Sequence, residues 1–147
     1  MSPALPNTLV IETLVRKNPV PRILVIDDED DIREVAALSL ETIAGWDVLT
    51  ADSGAKGVAQ AIAMQPDAIL LDVMMPGMDG PATFRALRNH PATAQIPVLL
   101  LTAKVQQSDQ LRFADLGVDA VLLKPFDPLT LSAQIASLLG WSLLGWS

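Results

Sequence analysis

Five short apolar runs alternate with segments of helical periodicity from Arg22 onward, and this alternation restricts the fold more than any other feature of the chain. Strands separated by helices can pair in parallel, and a run that is apolar on both faces is typical of a parallel strand covered by helices on each side. The sequence therefore predicts an α/β fold with a doubly wound, five-stranded parallel sheet. The predicted strands are residues 23–26, 48–50, 68–71, 97–101 and 118–123.

The predicted helices follow from the spacing of apolar residues between these runs. Ser53 is a predicted N-cap, because its hydroxyl can accept a hydrogen bond from the first turn of the second helix. Pro81 suits the first turn of the third helix, which is predicted to end near Asn89. The predicted buried stripes are Ile32, Val35, Ala36, Leu40 and Ile43 in the first helix and Leu131, Ile135, Leu138 and Leu139 in the fifth.

Length and cysteine content limit the kind of protein. A chain of 147 residues is long enough for one domain that needs no disulfide or metal for its stability. We expect an N-terminal extension over residues 1–21, the folded domain over 22–140 and a Leu/Trp C-terminal tail over 141–147. Cysteine is absent, which excludes a disulfide framework and a thiolate metal site.

The charge balance bears on partners and location. Ten Lys and Arg residues against 17 Asp and Glu residues give a net charge of −7, and nucleic-acid binding needs clustered basic side chains. No secretory signal is evident, and the uncharged stretch 128–147 has an amphipathic pattern. We therefore expect a cytoplasmic protein with no nucleic-acid or membrane partner.

Polar residues follow four of the five predicted strands. Asp27 and Asp28 come directly after the first strand, and Asp72 comes after the third. Thr102 follows the fourth strand and Lys124 the fifth. Ligands of open α/β sheets bind beyond the carboxyl ends of the strands, so these side chains are predicted to meet at one edge.

A cluster of carboxylates requires a cation, because like charges in close proximity repel one another. Oxygen ligands without His or Cys favour a hard ion, and Mg²⁺ in particular is bound by one or two carboxylates and a phosphate oxygen. Lys124 and Thr102 add donors suited to a phosphoryl group. Asp72 stands alone after a buried strand, as a carboxylate nucleophile would, and Asp27 and Asp28 are the predicted metal-holding pair.

Taken together, these motifs resemble the receiver domain of two-component response regulators, in particular a stand-alone receiver similar to chemotaxis regulators. Successive site residues are separated by 45 positions from Asp27 to Asp72, by 30 to Thr102 and by 22 to Lys124, which fits that family. The resemblance covers about residues 21 to 140 and implies a flavodoxin-like (βα)5 fold. The segments that carry it are 23–29, 72–80, 101–103 and 124–126.

The resemblance implies roles for the acidic residues. Asp72 would accept a phosphoryl group from a phosphohistidine on a histidine kinase or phosphotransfer protein. Asp28, Asp72 and the backbone carbonyl of Met74 would bind Mg²⁺ directly, and Asp27 would bind it through water. Met74 and Lys104 would flank the phosphoryl group and tune its lifetime.

The resemblance also implies roles at the ends of the fourth and fifth strands. Thr102 and Lys124 would contact phosphoryl oxygens, and the peptide bond between Lys124 and Pro125 would be cis, a geometry that X-Pro bonds reach at low cost. Val121 stands where the family often has an aromatic residue, so no aromatic switch is implied.

The function predicted from the resemblance is a phosphorylation switch that signals by binding a downstream protein. Self-phosphorylation and slow autodephosphorylation are its only expected reactions, so it is not classed as an enzyme. A homodimer would form through the fourth helix, fifth strand and fifth helix. One alternative is a Mg²⁺-dependent aspartyl-phosphate phosphohydrolase with Asp27 as nucleophile and Glu29 as second acid. Another is a receiver that no longer cycles phosphate.

Three further features have structural interpretations. The only histidine, His90, is predicted to lie in an exposed loop, and Asp79 with Gly80 is predicted to shape the loop before the third helix. The sequence Ser-Leu-Leu-Gly-Trp occurs twice between residues 137 and 146. An extra packing element, a partner surface and a duplication accident all remain open for the second copy.

Overall fold

The computed structural model describes residues 19–103 and 106–142. Within these ranges, five strands alternate with five helices along the chain. The strands are β1 (Arg22–Ile26), β2 (Asp47–Ala51), β3 (Ala68–Asp72), β4 (Val98–Thr102) and β5 (Ala120–Leu123). The helices are α1 (Asp30–Ala44), α2 (Gly54–Met64), α3 (Gly80–Asn89), α4 (Gln107–Leu116) and α5 (Leu131–Leu139).

All strand pairs in the sheet are parallel, and the strand order is β2-β1-β3-β4-β5. This confirms the predicted five-stranded α/β fold of flavodoxin-like type. The order reverses direction between β1 and β3, and such a switch point leaves a crevice outside the carboxyl ends of those two strands. The topology therefore determines where a ligand can approach the sheet.

Apolar side chains cover the sheet on both faces, because successive residues of a strand point to opposite sides. Leu24 and Ile26 of β1 belong to the core cluster that includes Phe84 of α3 and Phe113 of α4. Alternate residues of the same strand pack on the other side. That second cluster contains Ile23 and Val25 together with Ala36 and Leu40 of α1 and Leu131 and Ile135 of α5.

The apolar stripes predicted for the first and fifth helices were partly wrong. Val35 and Ile43 of α1 are 42% and 50% exposed, and Leu138 of α5 is 47% exposed. Ala36 and Leu40 are fully buried in the same helix. Helical periodicity gives the direction of the buried face, but its width depends on how much of the helix the sheet and the neighbouring helix cover.

Strand and helix ends differ from the predictions by one or two residues. The fourth strand begins at Val98 and not at Pro97, whose nitrogen carries no hydrogen to donate. The fifth strand begins at Ala120, after a turn in which Gly117 has a φ of +84°. Ser53 caps α2 as predicted, since its side chain accepts a hydrogen bond from the backbone nitrogen of Lys56.

Some predictions concern parts of the chain outside the described residues. These include most of the N-terminal extension, Lys104 and the second Ser-Leu-Leu-Gly-Trp copy from residue 143. No helix within 19–103 and 106–142 has both the length and the apolarity required to cross a lipid bilayer.

Candidate functional site

Each predicted site residue lies at or just beyond the carboxyl end of a strand. Asp27 follows β1, and Asp72 and Thr102 are the last residues of β3 and β4. Their exposed fractions are 0%, 2% and 1%, so three polar residues are buried at this edge. The backbone nitrogen of Lys124, just after β5, donates to the carbonyl of Thr102 at 2.8 Å.

Four carboxylates form an acidic cluster, defined here as Asp27, Asp28, Glu29 and Asp72. One carboxylate oxygen from each lies within 4.8 Å of the others. Sequence reasoning anticipated three of these residues as the metal-binding set, whereas Glu29 entered only as the second acid of the alternative hydrolase. Its position directly after the aspartate pair was the available signal, but many exposed acids occupy first turns of helices without a ligand.

The ammonium of Lys124 lies inside the acidic cluster. Its nitrogen is 3.1 Å from Asp27 Oδ2, 3.1 Å from Asp72 Oδ1 and 3.6 Å from Glu29 Oε1. The lysine side chain is only 15% exposed, so water screens these contacts weakly. Among residues 19–103 and 106–142, this one ammonium pairs with three of the four clustered carboxylates, so their negative charge exceeds the positive charge in contact with them.

Two carboxylate oxygens of the cluster have no partner among the described residues. Asp28 Oδ1 and Asp72 Oδ2 are buried and receive no hydrogen bond within that part of the chain. Asp27 Oδ2 is also buried without a hydrogen bond, but it forms an ion pair with the Lys124 ammonium at 3.1 Å. Buried polar atoms are nearly always hydrogen-bonded or bound to an ion, because an unpaired one loses its hydration without compensation. The two oxygens therefore indicate a place for a cation or for hydrogen-bond donors from a ligand.

Burial has the largest single effect on the pKa values of the clustered groups. Burial raises the pKa of Asp72 to about 6, with a further rise from the charge of Asp27, while hydrogen bonding to Lys124 opposes the change. Burial likewise raises the pKa of Asp27. For Lys124, burial acts to lower the pKa, but hydrogen bonds to Asp72 and Asp27 outweigh it and the pKa rises. The pKa values of these three groups therefore depend on one another and on the folded structure.

The loop between β3 and α3 borders the site. The main chain of Met74 acts to lower the pKa of Asp72, against the larger effect of burial, and the Met74 side chain is 64% exposed. Asp79 Oδ1 accepts a hydrogen bond from the backbone nitrogen of Ala82, which caps α3 and agrees with the loop-shaping role expected of Asp79. Met74, Met75, Pro76 and Asp79 line an open cavity of about 370 Å³.

Other residues singled out in the sequence lie as follows. The peptide bond between Lys124 and Pro125 is cis, as the resemblance implied. Val121 is partly buried against the core cluster that contains Phe84 and Phe113. His90 is exposed at the end of α3, and its Nδ1 accepts a hydrogen bond from the backbone nitrogen of Ala92. The side chains of Pro125, Val121 and His90 contribute no carboxylate, hydroxyl or ammonium to the cluster.

Comparison with known proteins identifies the family. The family model described as the response regulator receiver domain matches residues 23–136. Among curated proteins, the chain is 45% identical over 120 residues to the DNA-binding dual master transcriptional regulator RpaA of Synechocystis, which covers 82% of this chain and 49% of that protein. It is 38% identical over 117 residues to the phosphate regulon transcriptional regulatory protein PhoB of Pseudomonas aeruginosa, covering 80% of this chain and 51% of that protein.

Solved structures give the same result. The chemotaxis protein CheY4 of Vibrio cholerae superposes with a TM-score of 0.76 at 30% identity, covering 81% of this chain and 98% of that one. A putative response regulator from Chloroflexus aurantiacus superposes with a TM-score of 0.75 at 34% identity, covering 82% and 98%. The chain spans about half the length of the curated relatives above. It belongs to the receiver-domain family of two-component response regulators.

Proposed function

We propose that this receiver domain accepts a phosphoryl group on Asp72 in a reaction that depends on Mg²⁺. The observation that carries the proposal is the state of the Asp72 carboxylate. One oxygen is 3.1 Å from the Lys124 ammonium, and the other is buried without a hydrogen-bond partner in the described part of the chain. A carboxylate with one oxygen held and one free is suited to nucleophilic attack.

The acidic cluster fits Mg²⁺. Its donors are all oxygens, and the unpartnered oxygens belong to Asp28 and Asp72. In this proposal Asp28, Asp72 and the Met74 carbonyl would hold the ion, with Asp27 held through water. When bound, Mg²⁺ would neutralise the clustered carboxylates and the oxygens of the incoming phosphoryl group.

The side chains at the strand ends would have different roles in phosphoryl transfer. An Asp72 oxygen attacks phosphorus, an O–P bond forms, and the N–P bond of the donor phosphohistidine breaks. The electron pair of that bond returns to the imidazole nitrogen. Lys124 and Thr102 contact the equatorial oxygens, where negative charge is concentrated during transfer. Lys124 is already held beside Asp72, so little reorganisation precedes the reaction.

Phosphorylation would act as a switch and not as a catalytic cycle on a separate substrate. The new group adds a charge of about −1.5 to −2 at this edge of the sheet and shifts the population between two conformations. The donor would be a histidine kinase or phosphotransfer protein, and the phosphorylated domain would bind a downstream protein or dimerise through α4, β5 and α5. The absence of a nucleic-acid partner stays a prediction, based on the net charge of −7.

The test is phosphate-affinity electrophoresis after incubation with acetyl phosphate and Mg²⁺. We expect a shifted band for the native chain and for Asp52→Asn, and none for Asp72→Asn. Asp52 is the matched control because it also follows a strand, β2, but pairs with Lys56 at 3.1 Å outside the acidic cluster. A shifted band in Asp72→Asn would overturn the proposal. Turnover of a general phosphoester that Asp27→Asn abolishes and Asp72→Asn spares would establish the hydrolase instead.

A further inference from the structure

Arg33, in the first turns of α1, contacts the main chain of the acidic cluster. Its Nη1 donates to the backbone carbonyl of Asp27 at 2.7 Å. Its Nη2 donates to a carboxylate oxygen of Asp30, three residues earlier in the same helix. The side chain is 16% exposed, so the guanidinium is mostly withdrawn from water.

The segment 27–29 supplies three of the four carboxylates in the acidic cluster and is held at several points. The Asp27 nitrogen donates to the carbonyl of Ala51 in β2 at 3.1 Å, and Asp27 Oδ1 accepts from the Glu29 nitrogen at 2.8 Å. The Arg33 nitrogen donates to the carbonyl of Glu29 at 3.1 Å. None of these three bonds involves the carbonyl of Asp27. The bond from Arg33 Nη1 to that carbonyl therefore orients the peptide group between Asp27 and Asp28.

We propose that Arg33 is a positioning residue for the metal site, which it serves by holding the Asp27 carbonyl and thus the directions of the Asp27 and Asp28 carboxylates. The inference rests on the proposed Mg²⁺ site. Residues that orient metal ligands without touching the metal typically change metal affinity about 10–100-fold when they are replaced. Arg33 would have that effect without being a ligand or a catalytic residue.

The direction in which Mg²⁺ affinity changes when Arg33 is replaced distinguishes a positioning role from a purely electrostatic one. A cation near the acidic cluster repels Mg²⁺, so removal of its charge alone would tighten Mg²⁺ binding. Loss of positioning would weaken it. Arg33→Lys keeps the charge but replaces the planar fork by a single ammonium that cannot donate in two fixed directions, so it isolates the positioning effect.

The experiment measures Mg²⁺ dissociation constants by isothermal titration calorimetry, with thermal unfolding in EDTA as a check of the fold. The variants are Arg33→Lys, Arg33→Gln and Asp30→Asn. The matched control is Arg112→Lys in α4, where Arg112 pairs with Asp109 at the same spacing of three residues but is 63% exposed and makes no contact with the acidic cluster among the ion pairs found. If Arg33→Gln does not fold, Arg33→Lys carries the test.

We expect Arg33→Lys to weaken Mg²⁺ binding about ten-fold. Asp30→Asn and Arg112→Lys should stay within two-fold of the native chain, because neither removes the bond to the Asp27 carbonyl. Binding within two-fold of native in a folded Arg33→Lys variant, or tighter binding in Arg33→Gln, would overturn the inference and leave the proposed function intact. A native chain that binds no Mg²⁺ would overturn both.

Discussion

The two oxygens of the Asp72 carboxylate have different surroundings. One is paired with Lys124, and the other lies buried without a partner among the described residues. Because burial penalises the charged form, the folded protein holds the Asp72 proton more tightly than the unfolded chain does. Asp72 therefore lowers the stability of the metal-free fold once it ionises, which is consistent with a reactive group that is not optimised for stability.

The first prediction concerns the pH dependence of stability. The pKa of Asp72 rises from 3.8 to about 6 on folding, so the favourable contribution of its protonated form is complete below 3.8 and lost as pH rises through about 6. Asp72→Asn cannot ionise and avoids this loss. We expect the variant to gain stability over the native chain between pH 4 and pH 7.5, by on the order of 1–3 kcal/mol. Urea unfolding in EDTA at several pH values measures the difference.

Asp52→Asn provides a control of opposite sign. A hydrogen bond from Lys56 and its charge lower the pKa of Asp52, so that carboxylate contributes stability at neutral pH and loses it on acidification. This variant should be less stable than the native chain at pH 7.5 and approach it at low pH. If the difference between Asp72→Asn and the native chain does not change with pH, the pKa of Asp72 is not raised.

At the scale of elements, the site depends on the close approach of α3 to β3. The Gly80 nitrogen donates to the carbonyl of Val73 at 2.9 Å. A Cβ atom at Gly80 would lie 2.6 Å from the carbonyl oxygen of Asp72 and 2.7 Å from Cα of Val73. Both are main-chain atoms that no rotamer change can move. Only glycine allows this helix to begin directly against the residue that carries the proposed nucleophile.

We therefore expect Gly80→Ala to destabilise the domain by about 1–3 kcal/mol, although alanine is the better helix former. It should also slow phosphorylation of Asp72 by acetyl phosphate, because the contact atoms belong to Asp72 and its neighbour. Urea unfolding and the rate of band shift measure the two effects. Ala59→Gly, at an exposed position of α2, should cost about 1 kcal/mol and leave the rate unchanged. A native-like Gly80→Ala variant would show that α3 has room to move.

A second contact between elements lies away from the site. Arg88 of α3 donates to the carbonyl of Ile96 at 2.8 Å and pairs with Asp119 at 3.1 Å. Asp119 in turn accepts from the Val98 nitrogen at 2.7 Å. The arginine thus joins α3 to the starts of β4 and β5, at the edge of the sheet opposite to the acidic cluster.

Arg88→Ala should lower the free energy of unfolding by about 1–3 kcal/mol, because it removes hydrogen bonds made by a charged group. Phosphorylation of the folded variant should proceed at the native rate. Arg112→Ala loses a 4.0 Å ion pair with Asp109 and a guanidinium contact with the Phe113 ring, and it should change stability by less than about 1 kcal/mol because the arginine side chain is 63% exposed. Equal stabilities of the two variants would argue against a structural role for the Arg88 contacts.

At the scale of the whole molecule, folding assembles the acidic cluster that forms the proposed metal site. Asp27, Asp28 and Glu29 come from the loop after β1, Asp72 from the end of β3, and Lys124 from the segment after β5. Because these segments are adjacent only in the folded sheet, the unfolded chain offers no comparable set of ligands. An ion that binds the folded state alone stabilises it in proportion to its occupancy.

Mg²⁺ should therefore raise the stability of the domain, by about 2.7 kcal/mol at a free concentration 100 times the dissociation constant. Thermal unfolding with Mg²⁺ and with EDTA at matched ionic strength measures the effect. Asp28→Asn should abolish most of the increase, because it neutralises a proposed ligand. An equal increase in that variant would show that Mg²⁺ acts elsewhere on this acidic chain.

The sequence predicted the positions of the site residues better than the burial of helix residues. Asp72 and Lys124 were located correctly at one edge, since all strands of a parallel sheet end on the same side whatever their order. Leu138 and Val35 were assigned to the core, and both are substantially exposed. Periodicity along one helix contains no information on how neighbouring elements cover it.

Local sequence was sufficient to predict the alternation of strands and helices and the cap at Ser53, because these depend on contacts within a few residues. It was also sufficient to predict the positions of the carboxylates after β1 and β3, because all strands of a parallel sheet end on the same side. Tertiary structure alone brought Glu29 into the cluster and placed the Arg33 side chain against the Asp27 carbonyl. It also buried Asp28 Oδ1 and Asp72 Oδ2 with no hydrogen-bond partner in the described part of the chain. Those features depend on distances between side chains of separate segments. The packing of helices against the sheet determines such distances, and spacing along the chain does not.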